Sequence, residues 1–256
     1  MMVLGVLWLW GTAVSLDLIS IGQFMIARPI VAGTVAGLIV GDPVAGGVVG
    51  MVLELFALDI LPTGSIRYPD YGIGAVAGTV VAADAPRMLG LGLAVTVGLV
   101  VAYLGEIGIA HVRSMNSKDV RRVSEQLDAG DWAAIAATHM RGLSRDVVRA
   151  GSVALVGLGA AAFVATRPLV TVRGAIMVTV VIIGAAIGTA AVGAMRLGGR
   201  GLGLKWFVLG LLLVVPKNPA YSFLIPAFWK SAPVFWKPAL RHSALCHYRL
   251  RRIRRL

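Results

Sequence analysis

The chain consists of apolar runs separated by short polar breaks, and the lengths of the runs predict two kinds of helix. Four runs are close to the roughly 20 residues that a helix needs to cross a bilayer: residues 3–21, 88–112, 147–166 and 174–195. Three runs are shorter: residues 29–40, 44–60 and 72–83. We expect the shorter runs to form half-helices or re-entrant hairpins rather than complete spans.

The short runs contain acids and are interrupted by turn-forming residues. Four acids lie within residues 29–83: Asp42, Glu54, Asp59 and Asp70. The interruptions are Gly-Asp-Pro at 41–43 and Leu-Pro-Thr-Gly at 61–64. A carboxylate at bilayer depth costs roughly 2.5–3.5 kcal/mol on insertion scales, and a broken helix there needs polar partners for its backbone. This combination is typical of a transport site for a polar solute.

Composition places the chain among integral membrane proteins. Hydrophobic residues make up 58% of the 256 residues and charged residues 14%, against about 25% charge in a soluble domain. The 32 glycines, including those at 33, 37, 46, 47 and 50, predict helices that pack closely through small residues. The single cysteine, Cys246, excludes an internal disulfide.

The net charge of +12 belongs mostly to the C-terminal tail. Residues 216–256 contain nine Lys and Arg and no acid, and the apolar run before them, 206–215, is too short to span alone. A basic tail on a membrane protein favours the anionic cytoplasmic leaflet over nucleic acid, so no nucleic-acid partner is expected. The tail is either a divergent segment or the product of a frameshift.

Residues 113–149 are far more polar than their neighbours. They contain seven Lys/Arg and five Asp/Glu, and Val120, Val123 and Leu127 follow each other at helical spacing on one face. The pattern predicts either an amphipathic linker helix on the membrane surface or a helical loop in water. Because Lys and Arg accumulate on the cytoplasmic side, we expect this linker and the later 196–205 loop to be cytoplasmic.

The sequence contains no motif for nucleophilic, phosphate-binding or metal chemistry. His111 and His139 have no acid or cysteine at ligand spacing and are predicted to be interfacial, as is Asp17. We therefore predict no catalytic residue, no metal and no cofactor on this chain.

One ordered block of motifs resembles a known family, the IIC subunit of the mannose/fructose/sorbose phosphotransferase-system (PTS) sugar permeases. The resemblance covers about residues 20–83 and continues more weakly to about residue 213. It is carried by Phe24-x3-Arg28-Pro29-x11-Gly41-Asp42 and by Leu53-Glu54-x2-Ala57-Leu58-x5-Gly64-x4-Pro69-Asp70.

The resemblance implies an all-α integral membrane protein, a multi-span helical bundle with broken or re-entrant half-helices and an amphipathic linker helix. Residues 1–215 would form the IIC membrane domain, in the bacterial inner membrane. The implied function is translocation of a hexose-type sugar by an oligomer that includes a IID-type membrane subunit. A separate IIB protein would phosphorylate the sugar, the IIA and IIB phosphocarrier proteins being partners of the complex, so no phosphorylated residue is expected here.

Two other functions remain open at this point. One is a regulatory or scaffold component of an incomplete phosphotransferase system that no longer transports. The other is an unrelated ion-coupled transporter, which would share the broken helices but not the ordered motifs.

The resemblance also assigns candidate sugar-binding residues. Glu54, Asp42 and Asp70 match acidic positions of the family pattern, and a carboxylate accepts charge-assisted hydrogen bonds from sugar hydroxyls. Each acid has a structural alternative. Glu54 could pair with Arg28 or cap a half-helix, while Asp42 and Asp70 stand where helix N-caps are expected.

The remaining assignments concern the residues around the Arg-Pro pair. Arg28 and Pro29 match the family pair, and Arg28 is expected to be structural, pairing with an acid. The family commonly has two acids at the positions of Gly22 and Gln23. Gln23 keeps hydrogen-bonding capacity for a sugar hydroxyl but lacks the charge.

Overall fold

The computed structural model describes residues 2–59, 66–84, 87–167 and 171–197. The described residues form helices and connecting segments, with no strand. The helices are α1 (Met2–Asp17), α2 (Pro29–Val40), α3 (Pro43–Ala57), α4 (Tyr71–Ala83), α5 (Arg87–Arg122), α6 (Ser124–Asp128), α7 (Trp132–Ala165) and α8 (Val172–Leu197). The 61–64 break, the 198–205 part of the basic loop, the run 206–215 and the tail 216–256 lie outside the described residues.

Helices α2 and α3 form a hairpin whose ends follow from local chemistry. Pro29 opens α2, where its missing N–H costs no helical hydrogen bond. Gly41 ends α2 with φ 91°, a left-handed conformation that glycine adopts without steric cost. Asp42 then caps α3, accepting from the Ala45 backbone N–H at 2.9 Å. The N-cap interpretation of Asp42 is confirmed.

The hairpin is closed by glycines in direct backbone contact. A Cβ added to Gly46 would lie 2.9 Å from the Cα of Gly37, and one added to Gly50 would lie 2.8 Å from the Cα of Ile30. Both distances are shorter than a methyl group tolerates. The predicted packing through small residues is therefore confirmed, and it joins α2 to α3 over most of their length.

Three described helices are long and apolar enough to cross a membrane, within Gly90–Arg122, Trp132–Ala165 and Val172–Gly193. Helix α1 differs from the span expected over residues 3–21, because it has 16 residues and ends at Asp17. The Asp17 carboxylate binds the backbone of the segment that follows, so the chain turns away from the helix axis. Helix α1 is shorter than a typical span.

The polar linker is helical, as expected, but it is not a separate helix. Helix α5 continues out of its apolar part as far as Arg122, because no proline or glycine interrupts it after Gly108. The short α6 follows, Gly130 turns the chain with φ 73°, and Asp131 caps α7 by accepting from the Ala133 N–H at 2.9 Å. The linker is thus the joined ends of two long helices, which we call the α5–α7 arm.

Helix α4 lies at the centre of the described bundle. It is buried along nearly its whole length and packs against α1, α2, α3, α5 and α7. Gly74 and Gly98 bring α4 and α5 together, since a Cβ on Gly98 would lie 2.8 Å from the Gly74 carbonyl oxygen. The N-terminus of α4, where Asp70 stands, is therefore enclosed by its neighbours.

Replacing Gly46 by alanine is expected to destabilise the protein by roughly 1–3 kcal/mol, the range for overpacking a tight contact. The new methyl group would force α2 and α3 apart at Gly37. Thermal unfolding of the purified protein in detergent measures the effect. The matched control is Gly159→Ala, because a Cβ at that position meets nothing within 4 Å. Equal melting temperatures for the two variants would contradict the packing argument.

Candidate functional site

Glu54 and Arg28 form an ion pair at the open end of the α2–α3 hairpin. The Arg28 Nη2 contacts the Glu54 Oε1, and the two side chains are 40% and 15% exposed. The other Glu54 oxygen accepts from the Ile30 N–H at 3.4 Å, at the first turn of α2. The expected pairing of Arg28 with an acid is confirmed. Glu54 also stabilises the N-terminus of α2, because a negative charge is favourable at that end of a helix.

The loop 18–28 that precedes the Arg-Pro pair is held by one buried acid. The Asp17 carboxylate accepts from the Phe24 N–H at 2.6 Å and from the Ala27 N–H at 3.1 Å. Asp17 is 4% exposed, so its carboxylate is buried within the protein, and its expected position at the membrane interface stays a prediction. Its two backbone hydrogen bonds offset the cost of burying a carboxylate.

The same loop contains three residues in the left-handed region. Their φ angles are 82° at Gly22, 52° at Gln23 and 68° at Met25. Such a conformation is uncommon for glutamine and methionine, and it persists only where surrounding contacts hold it. The two hydrogen bonds to Asp17 provide that restraint, so the position of the Gln23 side chain depends on Asp17.

Gln23 lines a cavity of about 240 Å³ together with Tyr68, Arg113 and four aliphatic side chains. We call it the Gln23 cavity. Tyr68 also interacts electrostatically with Arg28 and Glu54, and its ring packs edge-on against Tyr71 at 5.5 Å. Tyr68 therefore lies near both the ion pair and the cavity, which places Gln23, Arg28 and Glu54 in one region.

Asp70 is fully buried behind this region and has several partners. It caps α4 by accepting from the Ile73 N–H at 3.3 Å, which confirms the N-cap interpretation. Its Oδ2 accepts from the Ser15 hydroxyl and lies 3.6 Å from Nη1 of Arg149. Asp70 consequently faces α1 and α7 rather than an open cavity.

Arg149 extends this buried network to Asp146. Its Nη1 donates to the Ser15 hydroxyl at 3.1 Å, and its Nε donates to Asp146 at 2.5 Å. Asp146 also accepts from the Ser20 hydroxyl. Sequence reasoning did not identify these residues as part of a site. The available signal was a charged residue, Arg149, inside the apolar run 147–166.

Asp42 lies apart from the other candidates. It stands at the turn of the hairpin, whereas Glu54 is at the open end, so the helix rise of 1.5 Å separates them by about 18 Å. Its carboxylate caps α3. The structure thus brings Gln23, Arg28 and Glu54 together, encloses Asp70 behind them and leaves Asp42 at the far end.

The candidate site is built for hydrogen bonding. It presents a carboxylate, a guanidinium, an amide and a phenol hydroxyl. Among the described residues no group of three or more His, Cys, Asp or Glu is arranged to hold a metal ion. His111 and His139 are both solvent-exposed.

The fold and the site define an all-α membrane protein with a polar site at the ends of broken helices. Residues 1–170 match the family model of the PTS system sorbose-specific IIC component. The chain belongs to this family of phosphotransferase-system IIC components.

Individual relatives agree with the family model. The fructose permease IIC component of Bacillus subtilis (strain 168) is 32% identical over 152 residues, covering 57% of this chain and 56% of the relative. The mannose-specific EIIC component of Escherichia coli (strain K12) is 25% identical over 134 residues, covering 52% and 50%. The chain spans about half the length of the curated relatives it matches.

A solved structure described as a membrane protein has the same fold. It aligns with a TM-score of 0.58 at 20% identity, covering 93% of this chain and 96% of its own.

Replacing Arg149 by methionine is expected to cost roughly 3–5 kcal/mol of stability, the range for breaking a buried ion pair. Asp70 and Asp146 would remain buried without their cation. The matched control is Arg141→Met on the same helix, where the side chain is exposed and a change within about 0.5 kcal/mol is expected. Denaturant unfolding in detergent measures the stability of the two variants. Similar midpoints for the two variants would show that the network adds little stability.

Proposed function

We propose that this chain is the permease subunit that translocates a hexose-type sugar in a phosphoenolpyruvate-dependent phosphotransferase system of the bacterial inner membrane. The observation that carries the proposal is the Glu54–Arg28 pair beside the Gln23 cavity, within the part of the chain that matches the IIC family. Two relatives, a fructose permease IIC component and a mannose-specific EIIC component, support a hexose-type sugar.

The proposed binding chemistry follows from the side chains at the open end of the hairpin. A sugar hydroxyl donates well to a carboxylate, so Glu54 is the main acceptor. Gln23 donates and accepts through its amide, and Arg28 donates from the opposite side of the pair. In this proposal Asp70 and Asp42 act through the helices that they cap, by fixing where α4 and α3 begin.

The proposed partners follow from the short helices and from the expectation that this chain carries no phosphorylated residue. Half-helices in lipid need neighbours to cover their ends, and a IID-type membrane subunit would provide that cover. Separate IIA and IIB proteins would carry the phosphoryl group. In this arrangement residues 1–215 form the membrane domain of a multi-pass oligomer, and the α5–α7 arm lies on the cytoplasmic side.

A second candidate is a non-transporting regulatory or scaffold component of an incomplete phosphotransferase system. Gln23 favours it, because the family commonly has acids at this position and the next one upstream. Retained Glu54, Asp42 and Asp70 favour transport. Sugar binding by the purified complex distinguishes the two candidates.

Replacing Glu54 by glutamine is expected to weaken sugar binding by roughly 1.5–3 kcal/mol, the range for hydrogen bonds to a charged group. The substitution keeps the shape of the side chain and removes its charge. Equilibrium binding of radiolabelled mannose or fructose to the purified membrane complex measures the effect. The matched control is Glu125→Gln in α6, where the same chemical change occurs at an exposed residue. Unchanged affinity in Glu54→Gln would rule out Glu54 as a ligand.

Transport is expected to require a IID-type subunit. Liposomes containing this chain alone should accumulate no sugar, because the ends of its short helices lack their cover. Liposomes containing the co-purified complex should transport sugar when phosphorylated IIB protein is supplied inside them. Sugar uptake by the isolated chain at the rate of the complex would contradict the proposed assembly.

A further inference from the structure

Arg113 is a cation without a carboxylate partner among the described residues. Three other arginines near the site are paired: Arg28 with Glu54, Arg145 with Asp119 and Arg149 with Asp146. Arg113 instead donates through Nη1 to the backbone carbonyl of Ile66 at 3.3 Å. A guanidinium has five N–H donors, so most of its hydrogen-bonding capacity is available to another group.

Arg113 lies where two cavities meet. It lines the Gln23 cavity and also a larger cavity of about 470 Å³ in the α5–α7 arm. The two carboxylates in the larger cavity, Asp119 and Asp146, each already contact an arginine. Arg113 is therefore the charged group at the junction of the cavities that is still able to receive an anion.

The lining of the Gln23 cavity differs chemically from the Glu54 end of the site. Its seven lining residues include no carboxylate, and its polar members are an amide, a phenol and the guanidinium. Such a set can donate to phosphoryl oxygens, and arginine binds phosphate through two parallel N–H bonds. A volume of about 240 Å³ is below the roughly 300–1,000 Å³ of sites for drug-sized ligands, which suits one monosaccharide.

We infer that the Gln23 cavity binds the phosphorylated form of the transported sugar, with the phosphoryl group at Arg113. This inference rests on the proposed function, because a sugar phosphotransferase system produces this ligand. The neutral sugar uses the Glu54 carboxylate, which would repel a phosphate. The phosphorylated sugar uses the Arg113 guanidinium, in the cavity that Tyr68 and Gln23 also line. Substrate and product would thus be held by opposite charges in overlapping positions that share Gln23, so that each excludes the other.

Competition binding on the purified membrane complex tests the inference. In separate titrations, mannose 6-phosphate, inorganic phosphate and unlabelled mannose are each added as competitors of bound radiolabelled mannose. For the unmodified protein we expect mannose 6-phosphate to compete more strongly than inorganic phosphate. In Arg113→Gln we expect at least a ten-fold weaker competition by mannose 6-phosphate, with mannose affinity within two-fold of the unmodified protein. Arg113→Lys should recover part of the competition by keeping the charge.

The control is Arg121→Gln, which removes an exposed arginine from the same helix and should leave both affinities unchanged. Elution as a monodisperse complex confirms that each variant is folded. Unchanged competition by mannose 6-phosphate in Arg113→Gln would overturn the inference, as would an equal loss for mannose. If inorganic phosphate competed as strongly as mannose 6-phosphate, the inference that the cavity binds the sugar of the phosphorylated ligand would be overturned. If mannose and fructose both fail to bind the unmodified complex, the proposed function itself fails.

Discussion

The buried guanidinium of Arg149 is the contact on which the arrangement of the site depends. It bonds to Ser15 at the end of α1, approaches Asp70 at the start of α4 and binds Asp146 one turn earlier on its own helix. A buried cation in this environment is tolerated only with close partners. The partners therefore fix α1, α4 and α7 at one place, and the loop 18–28 begins three residues beyond Ser15.

This arrangement separates two functions that acids can have in an apolar protein. Asp17, Asp42 and Asp70 are occupied by backbone N–H groups or by buried partners. They determine where helices begin and how a loop is held. Glu54 also accepts from a backbone N–H, that of Ile30, but it pairs in addition with an arginine that is 40% exposed, so this ion pair is the most accessible of the acid contacts.

Local chemistry made part of this structure predictable. The Gly-Asp-Pro turn, the two N-caps and the glycine contacts of the hairpin each depend on residues close together in sequence. The Arg28–Glu54 pair was one of the stated alternatives for Glu54. The Arg149 network was not predicted, because Ser15 and Arg149 are separated by 134 positions. A single sequence contains no local pattern that reports such a distant contact.

The glycine contacts between α2 and α3 determine how the site can move. At Gly37 and Gly46 backbone packs against backbone, so at these positions no side chain can change rotamer and let the helices slide. The hairpin is therefore expected to be rigid, so that its two ends move together. A displacement of the Asp42 turn would therefore also displace the Glu54–Arg28 pair at the other end of the hairpin.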